Sequence, residues 1–254
     1  MAERDGGGGG TRRGRLYGVG AGPGDPELLT LKAVRVIREA DCVAVPDSGS
    51  GRRMALGIVS PWLDGQEVID CATPMTSDAD VLAQAHDDVA RELASRLDEG
   101  KDVAMVVLGD VCVYSTFFYV AERLRPRGYE VELVPGVTSF SAAAARLCQP
   151  LCTGSESLLV TPASADGLDG RLGAAENLVL MKPPRDLSAL AGSLRERGLL
   201  DGASLVSDLG LPTERVVPRL ADLEGQVGYL SLVLVRGAEA RAAARAPQRG
   251  GQER

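Results

Sequence analysis

Two stretches of this sequence hold residues whose types and spacing suit chemistry. The first is Val106–Thr116, VVLGDVCVYST, where the apolar run Val103–Val107 gives way to Gly109-Asp110 and then to Tyr114-Ser115-Thr116. Glycine lets backbone approach a ligand closely, and a carboxylate accepts hydrogen bonds from hydroxyls, amines or backbone amides. The second is Pro135-Gly136-Val137-Thr138-Ser139, whose small and hydroxylated residues lead into the Ala-rich run Ser141–Ala145. An apolar run ending at such a break reads as a buried parallel strand opening into a loop, and open α/β sheets bind ligands at that end. The two loops are therefore expected to wall one site. Ordinary βα turns would look the same, and spacing alone does not separate the two readings.

A third stretch, Gly18-Val-Gly20-Ala-Gly22-Pro23-Gly24-Asp25-Pro26, invites a dinucleotide-binding reading and with it a nicotinamide dehydrogenase. The strict G-x-G-x-x-G pattern fails, because Pro23, Asp25 and Glu27 stand where the last glycine is needed. Asp41 falls near the spacing of a ribose-binding acid, but it also fits a plain residue between a helix and the next strand.

Other chemistries find little support. His86 is the only histidine, so Ser-His-Asp, Cys-His and multi-His metal sites are not expected. Cys42, Cys71, Cys112, Cys148 and Cys152 are odd in number and scattered; Cys148 and Cys152 lack partners for zinc. They read as buried or free thiols of a reducing compartment. No metal site is expected. A formal charge of −7 argues against general binding to nucleic acid or anionic membranes. No apolar run nears the roughly 20 residues that span a bilayer. MAERDGGGGGTRRGR lacks an apolar signal core, so a cytoplasmic place is expected.

The 254 residues are 44% apolar and 25% charged, a globular balance, with only 4% aromatics, so the core must be built of Leu, Val and Ala. Residues 1–14 and 238–254 read as disordered tails. Between them strands and helices alternate. Arg15–Val19 is a strand, followed by a helix with the face Leu28, Leu31, Val34 and Ile37, with Asp25 as its N-cap and Pro26 in its first turn. Cys42–Val45, a polar loop over Pro46–Arg53, a short helix at Met54–Val59 and a strand at Val68–Cys71 come next. Thr76-Ser77-Asp78 caps a long helix bearing Val81, Leu82, Ala85, Val89, Leu93 and Leu97, stopped at Gly100. The central strand, a helix over Phe117–Arg127 and a strand over Tyr129–Val134 complete a mostly parallel sheet. Further strands are expected at Leu158–Thr161, Leu178–Met181 and Ser204–Ser207. Leu168–Glu176 reads as loop and helix, and Leu187–Arg197 as a helix stopped at Gly198. Arg215–Pro218, a short helix and Leu230–Val235 close the set. The fold class is α/β, with lobes at 15–133 and 134–237 and an active-site cleft between them.

Taken jointly, Gly-x-Gly-x-Gly-Pro-Gly-Asp-Pro-x-x-Leu-Thr-x-Lys-Ala at 18–33, Gly109-Asp110, Pro-Gly-x-Thr-Ser at 135–139 and the late strand ending in Met181 resemble the tetrapyrrole (corrin/porphyrin) methylase family. The order and spacing match over roughly residues 15–237. LGDVCVYSTFFYV and PGVTSFSAAAARL look most like the branch that methylates C20 of precorrin-2; Pro74-Met75-Thr76 and Val179–Lys182 support it. The branch acting on the cobalt-loaded substrate is closely similar. One departure is Val111, where the family usually has proline; the change frees a backbone N–H and relaxes φ.

The resemblance implies S-adenosylmethionine as methyl donor and in-line attack by a nucleophilic meso carbon, followed by loss of its proton. By matching positions it places Pro23, Leu108, Gly109, Asp110, Val113, Thr138, Ser139 and Met181 at the donor, with Asp110 on its methionine end. It also implies that Leu209 or Gly210 and the start of the last strand, Leu230-Ser231, lie near its adenine. The tetrapyrrole is a polyanion, so Arg52, Arg53, Arg146, Lys182 and Arg185 are candidates for its carboxylates, against a reading as solvated surface charge. Tyr114 and Asp47 are candidates for proton handling. A homodimer is implied as well. A methylase for another macrocycle position or for diphthamide, and a non-catalytic tetrapyrrole carrier, are the competing readings within this fold.

Overall fold

The computed structural model describes residues 12–47, 53–164 and 167–237. Expectations for 1–11, for 48–52 and for 238–254 lie outside the described residues. Among the described residues ten strands form two five-stranded sheets, and the chain divides into two compact units at Thr138/Ser139. That division falls a few residues beyond the sequence boundary at 133/134, because Gly136 N–H is bonded to the Asp110 side chain and keeps the loop with the first unit. Arg12–Gly14, expected to be disordered, are instead placed: Arg12 and Arg13 pair with Asp102 and Asp98, and Gly14 N–H bonds Leu97 O.

The first sheet contains β1 (Leu16–Gly20), β2 (Cys42–Asp47), β3 (Glu67–Ala72), β4 (Val103–Val107) and β5 (Val131–Val134). Their order is β3-β2-β4-β1-β5 and every pair is parallel. Both faces are covered, which is why β4 is apolar at every position. Val103, Met105 and Val107 join the core made by α3 (Ala79–Asp98) and α4 (Phe117–Leu124). Ala104 and Val106 join the opposite core, with α1 (Leu31–Glu39) and α2 (Met54–Val59).

Two of the glycines read as turn residues, Gly18 and Gly20, lie inside β1. A Cβ on Gly18 would meet the buried Phe117 ring at 2.6 Å, so that glycine makes room for the aromatic. Asp25 and Pro26 open a 3-10 turn, Pro26–Leu28, rather than α1; Thr30 caps α1 by accepting from Ala33 N–H. The helix is therefore rotated from the expected face. Ala33, Val36 and Ile37 are buried and Leu31 is 91% exposed. In α3 the cap is Asp78, as the sequence suggests, but Val81 is exposed and His86 is buried. The helix after β4 ends at Leu124 and passes into a 3-10 turn, and Tyr129 precedes β5 rather than opening it.

The second sheet contains β6 (Leu158–Pro162), β7 (Asn177–Met181), β8 (Ala203–Ser207), β9 (Arg215–Val217) and β10 (Ser231–Val235), in the order β6-β7-β10-β8-β9. It is mixed: β6 and β7 are parallel, and the remaining pairs are antiparallel. α6 (Ser188–Glu196) packs on one face and α5 (Ser139–Arg146) on the other. No helix among the described residues is long and apolar enough to cross a membrane.

Candidate functional site

In the first sheet, α1 leaves β1 toward one face and α4 leaves β4 toward the other. Adjacent strands whose connections part in this way open a crevice at their carboxyl ends. The chain puts its glycines there. Ala21 N–H bonds Val107 O at 2.8 Å. Gly22 and Gly109 then exchange N–H···O bonds of 3.1 and 2.7 Å, both in left-handed conformations at φ 74 and 69. Gly136 closes against them from β5. A Cβ on Gly20 would lie 2.7 Å from Gly136 N, and one on Gly136 would lie 2.8 Å from Gly20 backbone and nearer still to Gly109 O. Three strand exits thus touch backbone to backbone.

Asp110 is buried at this junction, 9% exposed. Its Oδ1 accepts from Cys112 N–H and its Oδ2 from Gly136 N–H, both at 2.8 Å. Val111, the residue in place of proline, buries its side chain in the α3–α4 core. Pro23, Leu108, Val113 and Thr138 occupy the same strand exits; Leu108, Val113 and Thr138 are half-buried. Tyr114 is 46% exposed and has φ 49, a conformation that an aromatic residue adopts only under restraint. Asp47 ends β2, and its carbonyl accepts from Thr73 N–H at 2.8 Å. Asp41, the candidate ribose acid, accepts from Asp102 N–H and so ties the entries of β2 and β4 together.

In the second unit the strand order brings Met181, Ser207 and Ser231 to one end of the sheet. Ser231 Oγ donates to Gly228 O at 2.7 Å and lies 2.9 Å from Ser207 Oγ. Asp208 N–H bonds Leu230 O. Leu209 is buried against α5, and Gly210 N–H donates to Glu214. Glu214 also receives Arg146 at 2.6 Å. The Gly210 amide first, then Arg146, hold its carboxyl below the usual range. Lys182 and Asp208, each directly after a strand, are left-handed at φ 50 and 51. Ser139 opens α5.

Of the candidate cations, which the sequence weighed as carboxylate binders against solvated surface charge, Arg53 is paired with Asp70 and Arg146 with Glu214. Lys182 and Arg185 are exposed beyond β7, and Arg52 lies outside the described residues. A groove of about 1030 Å³ runs between β3 and α3, lined by Asp70, Asp80, Asp88 and Glu92. Its sign is wrong for a polycarboxylate. The cysteines form no disulfide; burial pushes Cys71 up to about 12 and Cys42 to about 11, so both stay protonated. Cys112, Cys148 and Cys152 are exposed. No cluster able to hold a metal ion occurs among the described residues. Sequence reasoning missed Ser207, Asp208 and Glu214, whose parts depend on neighbours distant in the chain.

A family model described as Tetrapyrrole (Corrin/Porphyrin) Methylases matches residues 15–224. The chain is 33% identical over 228 residues to the cobalt-precorrin-2 C(20)-methyltransferase of Salmonella typhimurium, covering 87% of this chain and 96% of that one. It is 34% identical over 240 residues to the precorrin-2 C(20)-methyltransferase of a Sinorhizobium species, covering 88% and 96%. It is 37% identical over 241 residues to the cobalamin biosynthesis protein CobIJ of Mycobacterium tuberculosis, covering 91% of this chain and 47% of that protein, so it spans about half the length of that relative. Among solved structures, the Thermus thermophilus uroporphyrin-III C-methyltransferase complexed with S-adenosylhomocysteine superposes with a TM-score of 0.64 at 26% identity, over 90% of this chain and all of that one. The chain belongs to the tetrapyrrole methylase family. The dinucleotide reading falls with this, and for a structural reason. β4 separates β2 from β1, unlike the 3-2-1 strand order of that fold, and the glycine turn leads into a 3-10 turn instead of a helix N-terminus.

Proposed function

We propose that this chain is an S-adenosylmethionine-dependent C-methyltransferase that methylates C20 of precorrin-2 in cobalamin biosynthesis. The observation that carries the reading is the meeting of the Gly22-Pro23, Gly109-Asp110 and Gly136 loops at the carboxyl ends of β1, β4 and β5. Those are the loops whose motifs resemble the family's. The Salmonella and Sinorhizobium relatives, matched nearly end to end, support position C20; their names differ on cobalt, so both substrate forms remain in the proposal.

The residues present suit the donor. Leu108, Val113, Met181 and Leu230 are apolar and only half-buried, and Thr138 and Ser139 add neutral hydroxyls. Apolar side chains of this kind suit the flat face of a nucleoside, and hydroxyls suit its polar edge. When bound, S-adenosylmethionine supplies a methyl group already activated by its positive sulfur. The protein's work is alignment and exclusion of water. Pro23, Leu108, Gly109, Val113, Thr138, Ser139 and Met181 would hold the donor, with Leu209, Gly210, Leu230 and Ser231 at its adenine. Lys182 and Arg185 would take substrate carboxylates, and Arg53 and Arg146 would do so by leaving Asp70 and Glu214. Tyr114 and Asp47 would handle the proton that leaves the methylated carbon, the carboxylate accepting it. Cytoplasmic location and a homodimeric assembly belong to the same proposal, and light scattering tests the latter.

The test is calorimetric titration with S-adenosylhomocysteine, followed by assays on metal-free and cobalt-loaded precorrin-2. Micromolar binding, about −8 kcal/mol, and a product carrying one more methyl at C20 are expected. Absence of binding at millimolar ligand would overturn the reading.

A further inference from the structure

We propose that Asp110 is a positioning residue that clamps the β4 exit loop to the β5 exit loop before any donor arrives, and is not a ligand of the donor's methionine end. The proposal rests on the donor reading above, in that the clamped loops are the ones assigned to the donor.

The sheet itself cannot make this link. β4 and β5 are not neighbours; each pairs with β1, which stands between them. The strand ladders with β1 end at Val107 on one side, where the Gly22–Gly109 bridge follows, and at Val134 on the other. Beyond those points the Asp110 side chain bridges the β5 exit to the β4 exit. Asp110 Oδ2 takes the Gly136 N–H across the gap, and Oδ1 takes the Cys112 N–H and folds its own loop. Both contacts are 2.8 Å, the length of a charge-assisted bond. At 9% exposure the carboxylate has given up most of its water, so these two amides are what compensate its burial. Both oxygens already face loop amides, and at this exposure little of the carboxylate is left open to a ligand's ammonium. The surrounding packing fits a fixed joint: Gly20 and Gly136 admit no Cβ, so the three exits close to a single backbone spacing. Holding the loops in advance spares the ordering cost at binding.

The decisive variant is Asp110→Asn. It keeps the volume but offers one acceptor and one NH2, so it cannot accept from both amides. In the ligand-free protein, hydrogen exchange at the Gly136 and Cys112 amides should accelerate by about tenfold or more, in keeping with losing a bond to a charged group. Calorimetry with S-adenosylhomocysteine and with 5′-methylthioadenosine, which lacks the amino-acid end, should then show both weakened by the same factor. Unchanged exchange with a loss confined to S-adenosylhomocysteine would overturn the clamp and make Asp110 a direct ligand. Failure of the wild type to bind either compound would instead overturn the donor reading, and the exchange result would still decide the clamp. Should Asp110→Asn not fold, exchange in the wild type decides: Gly136 and Cys112 amides that are not slowed without ligand would overturn the proposal.

Discussion

The two units solve the same problem, a sharp exit from a strand, with different means. In the first, glycines carry the turns: Gly22 and Gly109 take the left-handed conformations, and Gly20 and Gly136 surrender side chains so that backbones can touch. In the second, Lys182 and Asp208 take the left-handed positions, and hydroxyls such as Ser207 and Ser231 make the cross-links. The first arrangement is limited by space. The second carries strain of about 1 kcal/mol at each left-handed residue that is not glycine, as Tyr114 also does in the first. The difference teaches where each unit will break.

Gly136→Ala should have the largest effect, destabilising the protein by about 3 kcal/mol or more, because the new methyl meets backbone that cannot yield. Chemical denaturation would measure it, and a near-neutral result would show the joint to be loose. Ser231→Ala should cost about 1–2 kcal/mol in the same measurement, since Ser207 loses its buried partner. Lys182→Gly should go the other way and stabilise by up to about 1 kcal/mol; a loss would mean that the lysine's contacts outweigh its strain. The smallest effect concerns acid. His86, buried and stacked on Tyr119 at 4.7 Å, has its pKa lowered by burial first and by Arg123 second. The unfolded chain then binds the proton more readily, so the stability present above about pH 6.5 falls as pH drops through that value. Thermal melts of wild type and His86→Phe between pH 8 and 5 should diverge below pH 7. Parallel curves would remove His86 from the account.

How much of this was legible in the sequence follows from how local each feature is. The β4 run, the Asp78 cap and the Gly100 stop depend on residues close together, and they read correctly. The start of α1 did not. Asp25 and Thr30 are both good caps, and only the packing of Ala33, Val36 and Ile37 decides between them. Arg53 and Arg146 looked available because Asp70 and Glu214 are remote in the chain. The same distance hid the bond from Asp110 to Gly136. The left-handed Tyr114, Lys182 and Asp208 carry no sequence mark, since their types do not favour that conformation strongly enough to announce it.

The position of β1 has a consequence for synthesis. Its two neighbours are β4 and β5, which begin at Val103 and Val131. During synthesis β1 is thus unpaired on both edges until Val103–Val107 has followed, and on one edge until Val131–Val134 has followed. Its sheet closes through distant contacts, which are slow to form and leave the strand open to wrong partners meanwhile. Any truncation upstream of Val131 should yield a chain with an open edge at β1 and a strong tendency to aggregate, however complete its helices.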